Sequence, residues 1–205
     1  MKSVADVANI SDLRERLAAA SALVRASETK AEQLRTRRDV AILVMLRPFA
    51  DAVATTNAVR ANLRADLDTD KITDEEYTAA LAANREERHD HLESAGVKVF
   101  PVHVYEMLGV SRNLVNRLLM RMPTAPLPTM ADPAKVAKRA HVQMPEVEQT
   151  LSSAREIRDT AALLLMAGED ENGGELPPVS NADVARITGL TTARIAQLRD
   201  VAGRR

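Results

Sequence analysis

The stretch that decides the fold is residues 181–198, which reads NADVARITGLTTARIAQL. Its apolar residues recur at helical spacing on both sides of Gly189, and a glycine suits a turn because it tolerates positive φ. Val184, Leu190 and Ile195 are expected to point into one shared core. The spacing therefore predicts two short helices that meet across a tight turn.

Residues 101–118, PVHVYEMLGVSRNLVNRL, fit the same template around Gly109. The position where the two helices would touch holds the small Ala185 in one stretch and Tyr105 in the other, so the first pair either splays or turns this ring outward. Thr188 stands where an apolar residue is commoner. Both stretches resemble the helix-turn-helix DNA-binding motif, and the resemblance is to a superfamily rather than to a particular protein.

The resemblance implies that the second helix of each motif enters the major groove of duplex DNA. Arginine can bind guanine and asparagine can bind adenine through paired hydrogen bonds, and threonine and glutamine suit thymine and adenine. Arg121, Arg186 and Arg199 are better placed for phosphate than for bases. The expected DNA-binding residues are Ser111, Arg112, Asn113, Asn116, Arg117, Arg121, Arg186, Thr191, Thr192, Arg194, Gln197 and Arg199.

Charge is unevenly distributed along the chain, whose formal net charge is only −1. Residues 98–121 carry four basic residues against one acidic, and residues 181–205 carry five against two. Residues 50–96 carry eleven acidic residues against five basic. Two basic segments in an otherwise acidic chain are expected if they approach phosphates.

The acidic segment is predicted to be a helical hairpin. An amphipathic helix over 11–47 precedes it, and Pro48 is expected to disturb that helix. Thr73 and Glu76 form a capping-box pattern that starts a second, charged helix running to about Ser94. The hairpin then covers about residues 50–96.

Prolines predict the domain boundary. Residues 123–133 contain Pro123, Pro126, Pro128 and Pro133, which favours an extended linker. The predicted fold is all-α, with two helical domains that each end in a helix-turn-helix. Domain 1–122 holds the hairpin and the first motif at about 101–121, and domain 134–205 holds a helix from Pro145 to Ala167 and the second motif at about 181–201.

A weak internal repeat accompanies this division. Residues 38–43, RDVAIL, parallel residues 158–163, RDTAAL, and each precedes a segment with a glycine-centred turn. The first copy would then carry the acidic hairpin as an insertion.

Composition excludes several kinds of site. The chain has no Cys, so disulfides and thiolate metal sites are absent, and its 7 Gly form no phosphate-binding loop. Aromatic residues make up 2%, too few for a base-stacking platform. His89 and His91 point to different faces of a helix, and a calcium-loop-like stretch at 66–77 has Lys71 where glycine is needed. No catalytic residue, metal site or cofactor is predicted, and the protein is not expected to be an enzyme.

The expected function is sequence-specific binding of double-stranded DNA, as a transcriptional regulator or a plasmid or phage control protein that reads an asymmetric site with two unlike recognition helices. The alternative is an all-helical protein-interaction adaptor that does not bind DNA. The 11–47 helix and the acidic hairpin are candidates for self-association or for binding a protein partner. A start without signal-peptide character and a longest apolar run of Val40–Leu46 indicate a cytoplasmic protein without a membrane span.

Overall fold

The computed structural model describes residues 3–202, except the side chains of residues 55, 56, 88, 89, 201 and 202. Within that range the chain forms α-helices and no β-strand, so the all-α prediction is confirmed. The helices are α1 (Val4–Ala8), α2 (Leu13–Asp68), α3 (Asp74–Ser94), α4 (Pro101–Leu108), α5 (Arg112–Met120), α6 (Pro133–Ala167), α7 (Asn181–Thr188) and α8 (Thr192–Ala202). None of the helices described is both long enough and apolar enough to cross a membrane.

Helix α2 passes through Pro48 without ending, so the helix end predicted at residue 47 is wrong. Proline removes one backbone hydrogen bond from a helix interior. Met45 and Leu46 before it and Ala52 and Val53 after it are all buried. Burial on both sides of the proline keeps the helix continuous despite the missing bond.

Helix α6 begins at Pro133, so the start predicted at Pro145 is also wrong. The side chain of Asp132 accepts a hydrogen bond of 2.9 Å from the backbone N–H of Lys135, which caps the helix. Pro133 takes the first helical position, where the absence of an N–H costs nothing. Pro145 lies in the helix interior and is exposed.

The chain divides into two compact units whose boundaries differ from the predicted linker. The first unit contains the chain up to Arg35 and from Val142 onward, and the second contains residues 36–141. Each unit thus takes one part of α2 and one part of α6. The Pro-rich residues 123–133, which were predicted to link two domains, therefore lie inside the second unit.

The core of the second unit joins α2 to α4 and α5. Ile42 and Leu46 of α2 are fully buried in one cluster with Val104 and Val115. Burial of an aliphatic side chain of this size contributes about 1.5–3 kcal/mol. The two short helices are therefore held on the long helix by their apolar faces.

The first unit is built in the same way. Leu17 of α2 and Leu165 of α6 are buried in one cluster with Val184 and Ile195 of α7 and α8. A second cluster continues along α2 and α6 and includes Val24.

Side-chain pairs strengthen the internal repeat. Arg38 donates to Asp39 and Arg158 donates to Asp159, both through Nε to Oδ1 at 2.8 Å. In the first unit Arg155 of α6 pairs with Glu28 of α2 at 2.7 Å, and Arg35 pairs with Glu148 at 3.3 Å. Arg155 lies 120 residues after Arg35, and Glu148 lies 120 residues after Glu28, so each pair is the counterpart of the other in the repeat. Arg38 and Arg158 are separated by the same 120 residues.

Two arginines of α2 tie loops to their own units. Arg16, which is buried, pairs with Glu171 in the loop between α6 and α7. Arg47 donates from Nη1 to the carbonyl oxygen of Pro123 at 3.0 Å. The segments before α6 and before α7 are thereby held against α2.

The acidic hairpin consists of the end of α2 and α3. Arg60 donates from Nε to Oδ1 of the buried Asn84 at 3.0 Å, which links the two helices. The backbone N–H of Glu76 donates to Oγ1 of Thr73 at 3.2 Å, and the Glu76 carboxylate accepts from the Thr73 backbone at 2.8 Å. The predicted capping box and the end of α3 at Ser94 are confirmed.

Replacement of Pro145 by alanine is expected to stabilise the protein. The change restores a helix-interior hydrogen bond at an exposed position, so the free energy of unfolding should rise by up to about 3 kcal/mol in chemical denaturation. Pro133→Ala is the control and should change it little, because a first-turn N–H has no partner within the helix. A loss of stability in Pro145→Ala would contradict this account of α6.

Candidate functional site

The first corner, residues 101–120, consists of α4, a turn and α5. Gly109 ends α4 with φ of 67°, and its N–H donates to the carbonyl oxygen of Tyr105 at 2.9 Å. The side chain of Ser111 caps α5 by accepting from the N–H of Leu114 at 3.2 Å. A left-handed residue followed by a cap turns the chain sharply within three positions.

The second corner, residues 181–202, repeats this construction with α7 and α8. Gly189 has φ of 74°, and Thr191 accepts from the N–H of Arg194 at 3.2 Å. Thr188 is buried, but its hydroxyl donates to the carbonyl oxygen of Val184 at 2.8 Å and accepts from the N–H of Leu190 at 3.2 Å. These bonds explain how a polar side chain occupies a position that favours apolar residues.

Tyr105 is half-buried and packs against the core of the second unit. Its ring is therefore not turned fully toward solvent. The matching residue of the second corner, Ala185, is buried.

All twelve residues expected to bind DNA are exposed. The structure places them on the outer faces of the corners and just beyond α5: Ser111, Arg112, Asn113, Asn116, Arg117 and Arg121 in the second unit, and Arg186, Thr191, Thr192, Arg194, Gln197 and Arg199 in the first.

Helix α5 separates these residues from its apolar ones. Leu114 and Val115 are buried, whereas Asn113, Asn116 and Arg117 are exposed. The helix therefore offers solvent a polar and basic face, which ends at the exposed Met120.

Most of the cations on the corners are free of carboxylate partners. Arg112, Arg117, Arg121 and Arg199 form no ion pair with any carboxylate in the described part of the chain. Arg194 donates from Nη1 to Oε1 of the Gln197 amide at 3.2 Å, which leaves its charge uncompensated.

Arg186 is the exception, because it pairs with Asp183 at 2.8 Å. Asp183 also accepts a hydrogen bond of 2.8 Å from the hydroxyl of Ser180, the residue that caps α7. This hydrogen bond, together with the nearby charges of Arg186 and Arg14, lowers the pKa of the Asp183 carboxyl below its ordinary value. Asp183 is thus a carboxylate at neutral pH and partly offsets the charge of Arg186.

Sequence reasoning missed a cation at the second turn. Arg25 of α2 donates from Nη1 to the carbonyl oxygen of Thr188 at 3.2 Å. The same nitrogen lies 3.5 Å from the position that a Cβ on Gly189 would occupy. No local sequence signal could have found this contact, since more than 160 residues separate its partners.

Comparisons with known proteins add no relative or family to the geometry of the two corners. No family model, no curated protein and no solved structure matches the chain. Among the side chains that the structure describes, no three or more His, Asp or Glu are grouped closely enough to hold a metal ion.

Alanine at either turn glycine is expected to destabilise its corner. Gly109 and Gly189 both have positive φ, and an L residue in this conformation costs about 1–2 kcal/mol. No atom lies within 4 Å of a Cβ at Gly109, so the loss in Gly109→Ala, measured by chemical denaturation, should reflect backbone strain alone. Gly109→Asn is the control and should lose less, because asparagine tolerates this conformation. Equal stability of Gly109→Ala and the natural protein would contradict the turn.

The pKa of Asp183 is expected to rise toward its ordinary value in Ser180→Ala, because the hydroxyl donor to its carboxylate is removed. In the natural protein the lowered pKa stabilises the folded state at neutral pH, and this contribution is lost as pH falls through the folded-state pKa. NMR titration of the Asp183 carboxyl carbon measures the shift. Ser152→Ala, an exposed change on α6, serves as control, and an unchanged Asp183 pKa in Ser180→Ala would contradict the assignment.

Proposed function

We propose that this protein binds double-stranded DNA sequence-specifically through two helix-turn-helix motifs, one in each unit. It would serve as a transcriptional regulator or as a plasmid or phage control protein. The observation that carries the proposal is shared by both corners: the polar and basic residues expected to contact DNA are exposed, whereas Leu114, Val115 and Ile195 of the same second helices are buried.

The first corner carries the richer set of base-reading groups. Arg112, Asn113 and Asn116 stand in the first two turns of α5 on its exposed side. A guanidinium binds O6 and N7 of guanine, and an amide binds N6 and N7 of adenine. Helix α5 therefore suits mixed guanine and adenine contacts, while Arg121 suits phosphate.

The second corner presents different chemistry. Thr191 and Thr192 offer methyl groups that suit the thymine methyl, and Gln197 offers an amide that suits adenine. The hydrogen bond between Arg194 and Gln197 brings a cation and an amide together on one face of α8. Because α5 and α8 carry unlike side chains, the two motifs would read unlike halves of an asymmetric site.

The charge of the corners favours nucleic acid over a protein partner. Arginines without carboxylate partners keep their full charge for phosphates, and each phosphate contact displaces counterions from DNA. The all-helical adaptor that does not bind DNA is the competing function.

Fluorescence anisotropy with a pool of random duplexes separates the two functions. Binding should weaken steeply between about 50 mM and 200 mM salt, by about 10³-fold or more if six or more phosphates are contacted. No binding at the lower salt concentration would favour the adaptor and overturn the proposal.

Arg112→Ala and Gln197→Ala are expected to relax base preference in different halves of the selected site. Each lost base contact should cost about 1–3 kcal/mol of discrimination, measured by footprinting and competition on a site selected from random duplexes. Arg64→Ala removes an exposed arginine from the acidic hairpin and should leave the footprint unchanged. If both substitutions alter the same bases, the two motifs do not read separate halves.

A further inference from the structure

We infer that Arg25 of α2 contacts a DNA backbone phosphate beside the second corner. The inference rests on the proposed function and extends it to a helix outside the helix-turn-helix motif. It adds to the second corner a cation that lies far from it in sequence.

The guanidinium of Arg25 is held at the turn between α7 and α8. Its Nη1 donates to the carbonyl oxygen of Thr188, the last residue of α7, at 3.2 Å. Gly189 follows at once, and α8 begins at Thr192. The N-terminal residues of the second helix are those that approach bases in this motif. A duplex that meets Thr192 would bring its backbone close to Arg25.

The partner of Arg25 is a neutral carbonyl group rather than a carboxylate. Five arginines of α2 pair with acids: Arg16 with Glu171, Arg35 with Glu148, Arg38 with Asp39, Arg47 with Asp51 and Arg64 with Asp68. Arg25, like Arg14, Arg37 and Arg60, forms no ion pair with a carboxylate among the described residues. A guanidinium has five N–H donors, and the residue is exposed. Arg25 is thus fixed in place by one donor, while its charge and its remaining donors stay available for a phosphate.

Neighbouring cations reinforce this position. Arg186 stands on the exposed side of α7, and Arg14 of α2 lies near enough to Asp183 to lower the pKa of that carboxyl. Helix α7 is therefore accompanied by arginines at both ends, two of which come from α2. Several guanidinium groups around one helix create a local positive potential, which the carboxylate of Asp183 offsets only in part.

A purely structural role makes a different prediction. A cation at a helix C-terminus stabilises the helix by binding its last carbonyls and its dipole. If Arg25 had only that role, its replacement would lower thermal stability but would leave the salt dependence of DNA binding unchanged. The two roles can therefore be separated by measurements on the same variants.

The test measures the affinity of the full-length protein for random duplexes by anisotropy over a series of salt concentrations. Arg25→Gln keeps an N–H donor but loses the charge, so the slope of log affinity against log salt should become shallower by about 0.9. Arg25→Lys keeps the charge and should retain most of the slope. Lys30→Gln removes an exposed cation about 140° away around the same helix and should leave the slope unchanged.

Each outcome has a distinct meaning. A slope in Arg25→Gln equal to that of the natural protein, or an equal loss of slope in Arg25→Lys, would overturn the phosphate contact while leaving the proposed function intact. Absence of DNA binding by the natural protein would overturn the proposed function and this inference together. Thermal melting of each variant shows whether it is folded, and if Arg25→Gln does not fold, Arg25→Met, which also removes the charge, takes its place and is held to the same loss of slope.

Discussion

The structure depends on the left-handed turns at Gly109 and Gly189, each pinned by burial on both sides. Val104 and Val115 are fully buried on either side of the first turn, and Val184 and Ile195 flank the second. Because the apolar residues of a short helix occupy one face, their burial forces the polar residues of α5 and α8 outward. The same packing that stabilises each corner therefore also displays its arginine, asparagine, threonine and glutamine side chains.

The parts of the fold that depend on nearby residues were predictable. The capping box at Thr73 is an interaction across three residues, and the sequence predicts it. The exposure of all twelve candidate residues also follows from helical periodicity. Local propensity and spacing were sufficient wherever the contacts that decide the structure lie within one or two helical turns.

The parts that depend on distant residues were not predictable. Helix α2 continues through Pro48 because of burial against other segments, and α6 starts at Pro133 rather than Pro145. The first unit is made of two chain segments that are more than 100 residues apart, and the contact between Arg25 and Thr188 joins these segments. A rule that ends helices at proline weighs one lost hydrogen bond and ignores the packing that compensates for it.

Hydrogen exchange measured by mass spectrometry, with and without a selected duplex, tests the central claim most directly. The account predicts slower exchange in the turns and second helices of both corners, at about residues 109–121 and 189–199, with little change in α3 of the acidic hairpin. Slowing confined to α3, or no slowing in either corner on a duplex that binds, would contradict it.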